Sequence, residues 1–424
     1  MGGKSVTSVD KHPAQRTPLL ALLAAQLLSL GGNQITAIAL PWFVLSLSGS
    51  AAQTGLTAFF GTVPLIIGAL FGGVIIDRIG QKRASISADL ASALCVAAIP
   101  LVQATIGLEL WMVFGFVFLG ALLDVPGTTA RETMLPTVAR RAGVPLEQAN
   151  AWFEAVQGAA MLGGPVLAGL LIAWLGPIQA LWVTTASFGL AALLTACFQP
   201  ARASAEPVDL RGGVVAGLRL VLRDRLLRAI TLAGVGLVLF ATPIFAVVLP
   251  VHLQRSTGSA VELGLVLALD GAGTILGALA YGALGRRVGQ RRLLLGALLG
   301  VSATFVLIAM LPGTWILCGI ALLSGICAGP LNPLINTVLQ RRTPAALQGR
   351  VFGAVTGLTL IATPLGVLLA GYAIEVVGVQ PTLIGISAGF LAVTLALFGT
   401  PGLRALDEPS GAPDHSGATS EPTA

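Results

Sequence analysis

Three aspartates of this chain stand where a charge is expensive. Asp270 lies in ALALDGAGTI with no neighbouring cation in sequence, and Asp89 and Asp124 fall nearer the ends of other apolar runs. An ionisable group at the centre of a hydrocarbon layer costs roughly 2.5–3.5 kcal/mol on insertion scales, so it is retained for a task. A carboxyl placed there can take a proton from one side and release it to the other as its hydration changes. Asp270, then Asp89 and Asp124, are therefore the candidates for proton coupling. The alternative for each is a structural ion pair or hydrogen bond, and it weighs most for Asp89 and Asp124. Asn33 and Gln34, in LGGNQITAIALPW, are candidates for a substrate cavity, or equally for hydrogen bonds between helices. His252 reads as an interface residue.

The elements that position these residues follow from composition. Of 424 residues 55% are hydrophobic and only 10% charged, a balance that marks a membrane protein. Apolar runs long enough to cross about 30 Å of hydrocarbon as helices recur twelve times. They cover residues 17–46, 54–76, 84–106, 108–128, 149–174, 178–198, 229–253, 260–285, 293–311, 313–339, 351–377 and 381–400. The first is too long for a secretory signal and lacks an Ala-x-Ala-like exit, so it reads as an uncleaved helix. Cys95, Cys197, Cys318 and Cys327 lie inside apolar runs without paired spacing, which argues for packing and against a disulfide framework or metal site. No P-loop is present, and no nucleophile–base pair or metal cluster, so neither an ATP-driven machine nor an enzyme is expected, and no cofactor.

If the runs are helices, their loops alternate sides, and 23 of the 24 Lys and Arg residues fall on the side of the N-terminus, with Arg255 opposite. The positive-inside rule then makes residues 1–16 a cytoplasmic tail and puts both termini in the cytoplasm. The net charge of +6 reflects this orientation, and no nucleic-acid partner is needed to explain it. Residues 17–198 and 229–400 make two six-helix halves. Between them, residues 199–228 form a linker in which Val214, Val215, Leu218, Val221 and Leu222 recur at helical spacing beside Arg219, Arg223, Arg225 and Arg228. That stretch lies along the cytoplasmic lipid surface or is a simple basic linker. Residues 401–424 read as a disordered tail. Trp111, Trp174, Trp182 and Trp315, near predicted outer helix ends, read as an aromatic belt.

The halves are repeats. IGALFGGVIIDRIGQKR at 67–83 and LGALAYGALGRRVGQRR at 276–292 share eight of seventeen positions, with Arg286 standing where the first copy has Asp77. FEAVQGAAMLGGP at 153–165 aligns in the same way with FGAVTGLTLIATP at 352–364. Six helices per repeat is an even number, so the repeats are parallel, an arrangement that alternating-access transporters use.

Gly73, Asp77, Arg78, Gly80 and Arg83 resemble the helix two–three loop motif of the major facilitator superfamily. The resemblance extends over all twelve helices and implies an all-α membrane protein, twelve transmembrane helices in two pseudo-symmetric six-helix halves. ALPWFVLSLSGSA, TTARETMLPTVARRAGVPLEQAN and GLRLVLRDRLLRAI resemble the exporter branch that includes enterobactin and macrolide exporters, and the Tap type of multidrug efflux pump in particular.

The resemblance implies that Asp77 latches one half against the other, with Arg131 its candidate partner at the end of helix four; a plain helix cap is the alternative. Gly163, Gly164, Pro165 and Gly169 resemble the GPxxGG exporter motif of helix five, with Ala168 replacing one glycine; close helix packing is the alternative. Helix four is expected to lack the mid-membrane Arg of related drug antiporters, and Asn33 stands where similar exporters often carry an acid. The implied function is secondary transport: proton-coupled efflux of amphipathic drugs or other small molecules across the cell membrane by a monomer, with substrate, protons and lipids as partners. A lipid or siderophore exporter, and a non-transporting sensor or scaffold, are the alternatives.

Overall fold

The computed structural model describes residues 16–197, 213–284 and 288–406; within these, residues 69–74, 213–216, 284, 345–346 and 404–405 are described as backbone only. All of the described regular structure is helical. The first six helices are α1 (Thr17–Ser48), α2 (Ala51–Ile79), α3 (Gln81–Thr105), α4 (Leu110–Ala142), α5 (Leu146–Leu175) and α6 (Pro177–Ala196). A short α7 (Gly213–Arg223) precedes α8 (Arg225–Pro243), a π-turn over Ile244–Val248, α9 (Leu249–Ser256), α10 (Ala260–Leu284) and α11 (Gln290–Ala309). Then come α12 (Thr314–Ala328), α13 (Leu331–Arg342), α14 (Ala345–Val377), α15 (Val379–Phe398) and a 3₁₀ turn, Pro401–Leu406.

Twelve spans among the described residues are long and apolar enough to cross a membrane. α8 and α9 count as one span, Arg225–Ser256, and α12 and α13 as another, Thr314–Arg342. The first is interrupted where Pro243 and Pro250 each withhold an N–H from the helical ladder, and the π-turn takes up the misfit. Trp111, Trp174, Trp182 and Trp315 are all exposed, as an aromatic belt requires.

Helix four departs most from its expected bounds: it continues to Ala142, well past residue 128. Its apolar character fades after Val125, but the polar residues that follow do not end it, because Arg131 is turned inward and fully buried. The repeated turn also differs between its copies. Gly80 has φ 85°, a conformation that suits glycine, whereas its counterpart Gly289 has φ −57°.

The chain divides into two compact units, one of Met1–Val208 with Leu249–Ala268, the other of Asp209–Val248 with Leu269–Ala424. The sequence repeat assigns Leu249–Ala268 to the second half; the contacts group it with the first. In the first unit α4 packs on α2 and α3, α6 on α1 and α3, and α5 on α1. Gln254 Nε2 donates to Trp42 O at 3.0 Å and Ser46 Oγ at 2.6 Å, and Arg255 Nη2 to Gly49 O at 3.0 Å. In the second unit α14 packs on α7 and α8, and α11 on α12 and α15. Its interior holds Phe240, Phe305 and Phe390 in tilted contact and a buried Ser302–Thr394 hydroxyl pair at 3.1 Å.

The linker helix α7 is anchored within the second unit, where Gly217 meets the backbone of Arg350 and Val351 and Val221 is buried. Arg219 and Arg223 stay exposed. The expected tail begins later than residue 401, since Leu403 is buried and Gly402 rests on Arg225. Residues 407–424 lie outside the described residues.

Candidate functional site

On α1, Gln26, Ser29 and Asn33 are spaced three and four apart and so share one face. On α4, Asp124 and Arg131 are seven apart, two turns along one face. The fold brings these faces together beside Ser85 and Asp89 of α3, giving a polar seam inside the first unit. Gly127 permits the approach: a Cβ there would come within 2.7 Å of Ala88 Cβ.

Arg131 is the hub of this seam. Its Nη1 donates to Asp89 Oδ1 at 3.0 Å and Oδ2 at 2.9 Å, and to Ser85 Oγ at 3.3 Å. Nε donates to Gln26 Oε1 at 2.6 Å and Nη2 to Ser29 Oγ at 2.8 Å, while Ser29 in turn donates to Asp89 Oδ1 at 3.1 Å. Asp89 and Arg131 are both 0% exposed. A buried ion pair repays its desolvation only when further hydrogen bonds satisfy both ions, and here α1 and α3 supply them. One turn of α1 further on, Asn33 Nδ2 donates to Asp124 Oδ2 at 2.8 Å. Asp124 is 9% exposed, and its other oxygen, Oδ1, is buried without a hydrogen-bond partner among the described residues.

One expectation is corrected here. Arg131 was expected at the end of helix four as partner of Asp77; it lies eleven residues before the last residue of α4 with its donors spent on Asp89, Gln26, Ser29 and Ser85. Asp77 is exposed, with no ion pair or hydrogen bond among the described residues, as is Arg78. Helix four therefore carries a buried Arg, which the sequence reading places at the helix end. Of the remaining loop motif, Gly80 forms the α2–α3 turn and Arg83 is exposed. The surroundings of Gly73, and Arg286 altogether, lie outside the described residues.

The helix-five motif is a packing device in this structure. A Cβ on Gly164 would lie 2.6 Å from Gln34 Cβ, and one on Gly169 2.6 Å from Ala260 O. Gly264 of α10 rests on the carbonyl of Pro165. Gly163 faces open space and the replacement residue Ala168 is fully buried. Gln34 thus fills the notch at Gly164 and makes no hydrogen bond among the described residues.

Asp270 belongs to the second unit and sits near the middle of α10. Its carbonyl accepts from Thr274 Oγ1 at 3.0 Å and abuts Gly325 of α12, but its half-buried carboxyl has no ion-pair or hydrogen-bond partner among the described residues. No group of three or more metal-ligating side chains occurs among the described residues.

Sequence and structure comparisons agree with this architecture. The profile of the family described as transmembrane secretion effector matches residues 12–418. The chain is 35% identical over 401 residues to the multidrug efflux pump Tap of Mycolicibacterium fortuitum, covering 93% of this chain and 98% of that protein. It is 28% identical over 383 residues to the enterobactin exporter EntS of Escherichia coli O1:K1 / APEC, covering 87% and 86%. In fold it resembles the nucleoside transporter NupG, with a TM-score of 0.75 at 13% identity over 90% of this chain and 98% of that one. A bacterial homologue of the human lysosomal transporter Spinster gives 0.74 at 13% identity, over 94% and 99%. The chain belongs to the transmembrane secretion effector family of major facilitator transporters, a family of membrane transporters and not of enzymes.

Proposed function

We propose that the chain exports amphipathic small molecules, cationic drugs among them, across the cell membrane in exchange for protons, acting as a monomer with both termini in the cytoplasm. The observation that carries this reading is the carboxyl of Asp270, kept near the middle of a membrane span without a partner among the described residues. A structural acid resembles Asp89, whose charge is matched and hydrogen-bonded. Asp270 has no such bonds among the described residues, so its charge can be met by a proton or by a substrate cation in turn, and that competition is the essence of antiport. Weak screening in a low-dielectric cavity favours cationic over anionic cargo. The likeness to Tap pumps supports drugs as the cargo class, while that to EntS supports a siderophore as the second reading.

The reading is tested in cells that lack their own efflux pumps, by following accumulation of ethidium and tetraphenylphosphonium. Expression of the chain lowers accumulation of at least one, a protonophore abolishes the difference, and Asp270→Asn behaves like the protonophore. Unchanged accumulation of both cations, with the protein present in the membrane, sinks it.

A further inference from the structure

The two carboxyls of the polar seam have partners of opposite chemical character. Asp89 receives two N–H bonds from the Arg131 guanidinium, a full charge that holds it as a carboxylate, with the Ser29 hydroxyl, which can donate or accept, as its neutral partner. Asn33 offers Asp124 an amide, which carries a donor on one side and an acceptor on the other. With Nδ2 turned to Asp124, the amide donates to a carboxylate; rotated by half a turn, it presents Oδ1 and accepts from a carboxylic acid. Either protonation state of Asp124 therefore keeps one hydrogen bond to Asn33.

The charge count points the same way. Asp89 and Asp124 face one cation that is buried among the described residues, Arg131, which both carboxyls feel electrostatically. The seam is thus neutral only when one carboxyl holds a proton, and Asp124 is the better placed to hold it, because both oxygens of Asp89 receive the Arg131 guanidinium while Asp124 is hydrogen-bonded to a neutral amide. The other charged groups of the packed helices lie nearer the surface: Asp77 and Arg78 of α2, Arg83 of α3, Glu132, Arg140 and Arg141 of α4 and Glu147 and Glu154 of α5 are exposed, Lys82 of α3 is half-buried and donates to Ala196 O at 2.8 Å, and Cys95 of α3 is half-buried. Asp124 Oδ1 is buried and unpartnered among the described residues, so it has room in its bonding for a proton.

We propose that Asp124 is a second proton-exchanging carboxyl, with Asn33 as its positioning residue. In the exchange the Oδ–H bond of Asp124 breaks, the proton passes to water, and an amide N–H···O⁻ bond replaces the O–H···O bond as Asn33 turns. Asn33 is half-buried, and Asp124 beside it is 9% exposed. The inference rests on the proton-coupled reading and deepens it, since Asp124 and Asp270 together make two exchangeable protons per chain, one in each unit.

The test is infrared difference spectroscopy on the purified full chain as pH is stepped from acid to alkaline, following the C=O band of protonated carboxyls. Asp124→Asn removes one component of the band and Asp270→Asn removes another. Asn33→Leu, which keeps both acids, shifts the frequency of the Asp124 component, because a carboxylic acid that loses its acceptor vibrates differently; a merely structural role of Asn33 leaves it in place. Should Asp124→Asn fail to fold, Asn33→Leu and Asn33→Asp decide the matter, the latter adding a second carboxyl that splits the component. An unaltered band in Asp124→Asn, or an unshifted band in both Asn33 variants, overturns the proposal. No substrate is needed, so a failure here leaves the ethidium experiment standing, and a failure there leaves this titration readable.

Discussion

Replacing Arg131 with Met leaves Asp89, which is 0% exposed, without its counter-ion, and strips Gln26, Ser29 and Ser85 of their donor. Interhelical hydrogen bonds in membrane proteins average only about 0.6 kcal/mol each, so the lost neutral contacts account for roughly 1–2 kcal/mol. Removing one partner of a buried ion pair costs about 3–5 kcal/mol, most of it the stranded charge, and that term decides the outcome. The folding equilibrium should fall by about two to three and a half orders of magnitude. Adding Asp89→Leu removes the stranded charge, and the double variant should recover to within about 1–2 kcal/mol of the parent, since apolar replacements of buried pairs are often neutral. The assay is denaturant unfolding in mixed micelles across the double-mutant cycle. Strictly additive losses, or an Arg131→Met variant as stable as the parent, refute the reasoning.

Further outcomes follow from the packing and the exposed acid. Gly325→Ala should destabilise by about 1–3 kcal/mol, because its Cβ meets the carbonyl of Asp270, whereas Gly319→Ala, facing open space, should be neutral or gain up to about 1 kcal/mol; the same unfolding assay separates them. Gly164→Val should push Gln34 and α1 away and lower both stability and export, with Gly163→Val, which faces open space, as the milder control. Asp77→Asn should change stability by less than about 0.5 kcal/mol, as its side chain is exposed, while lowering export if the acid latches the transport cycle; unchanged export removes Asp77 from the mechanism. With the exposed Cys197 replaced, Thr257→Cys should react with an impermeant thiol reagent from outside intact cells and Gly349→Cys should not; labelling of both from one side overturns the orientation.

The helix count was legible because each span carries its own hydropathy, and the unpartnered state of Asp270 was foreshadowed by the absence of a cation beside it. Helix four was cut short for an equally physical reason. Hydropathy treats Arg131 as a surface residue, yet α1 and α3 supply it with acceptors that let the helix continue. The spacing of Gln26, Ser29 and Asn33, and of Asp124 and Arg131, was a readable sign of two polar faces. Which face meets which depends on packing between helices distant in sequence, so the Asp89–Arg131 and Asn33–Asp124 pairings emerge only in the folded unit. The helix-five glycines were recognisable as a motif, but their occupants, Gln34 and the backbone of α10, were not.

Proton-driven export is tested most directly in proteoliposomes that contain only the purified chain, with ethidium on both sides and a pH gradient imposed across the bilayer. Proton movement and ethidium movement are recorded together. Ethidium should flow towards the acidic side while protons flow the other way, both fluxes should stop when the gradient is collapsed, and Asp270→Asn should retain only downhill ethidium movement. Ethidium concentrated by Asp270→Asn as well as by the parent, or concentrated by the parent without any countercurrent of protons, would contradict it.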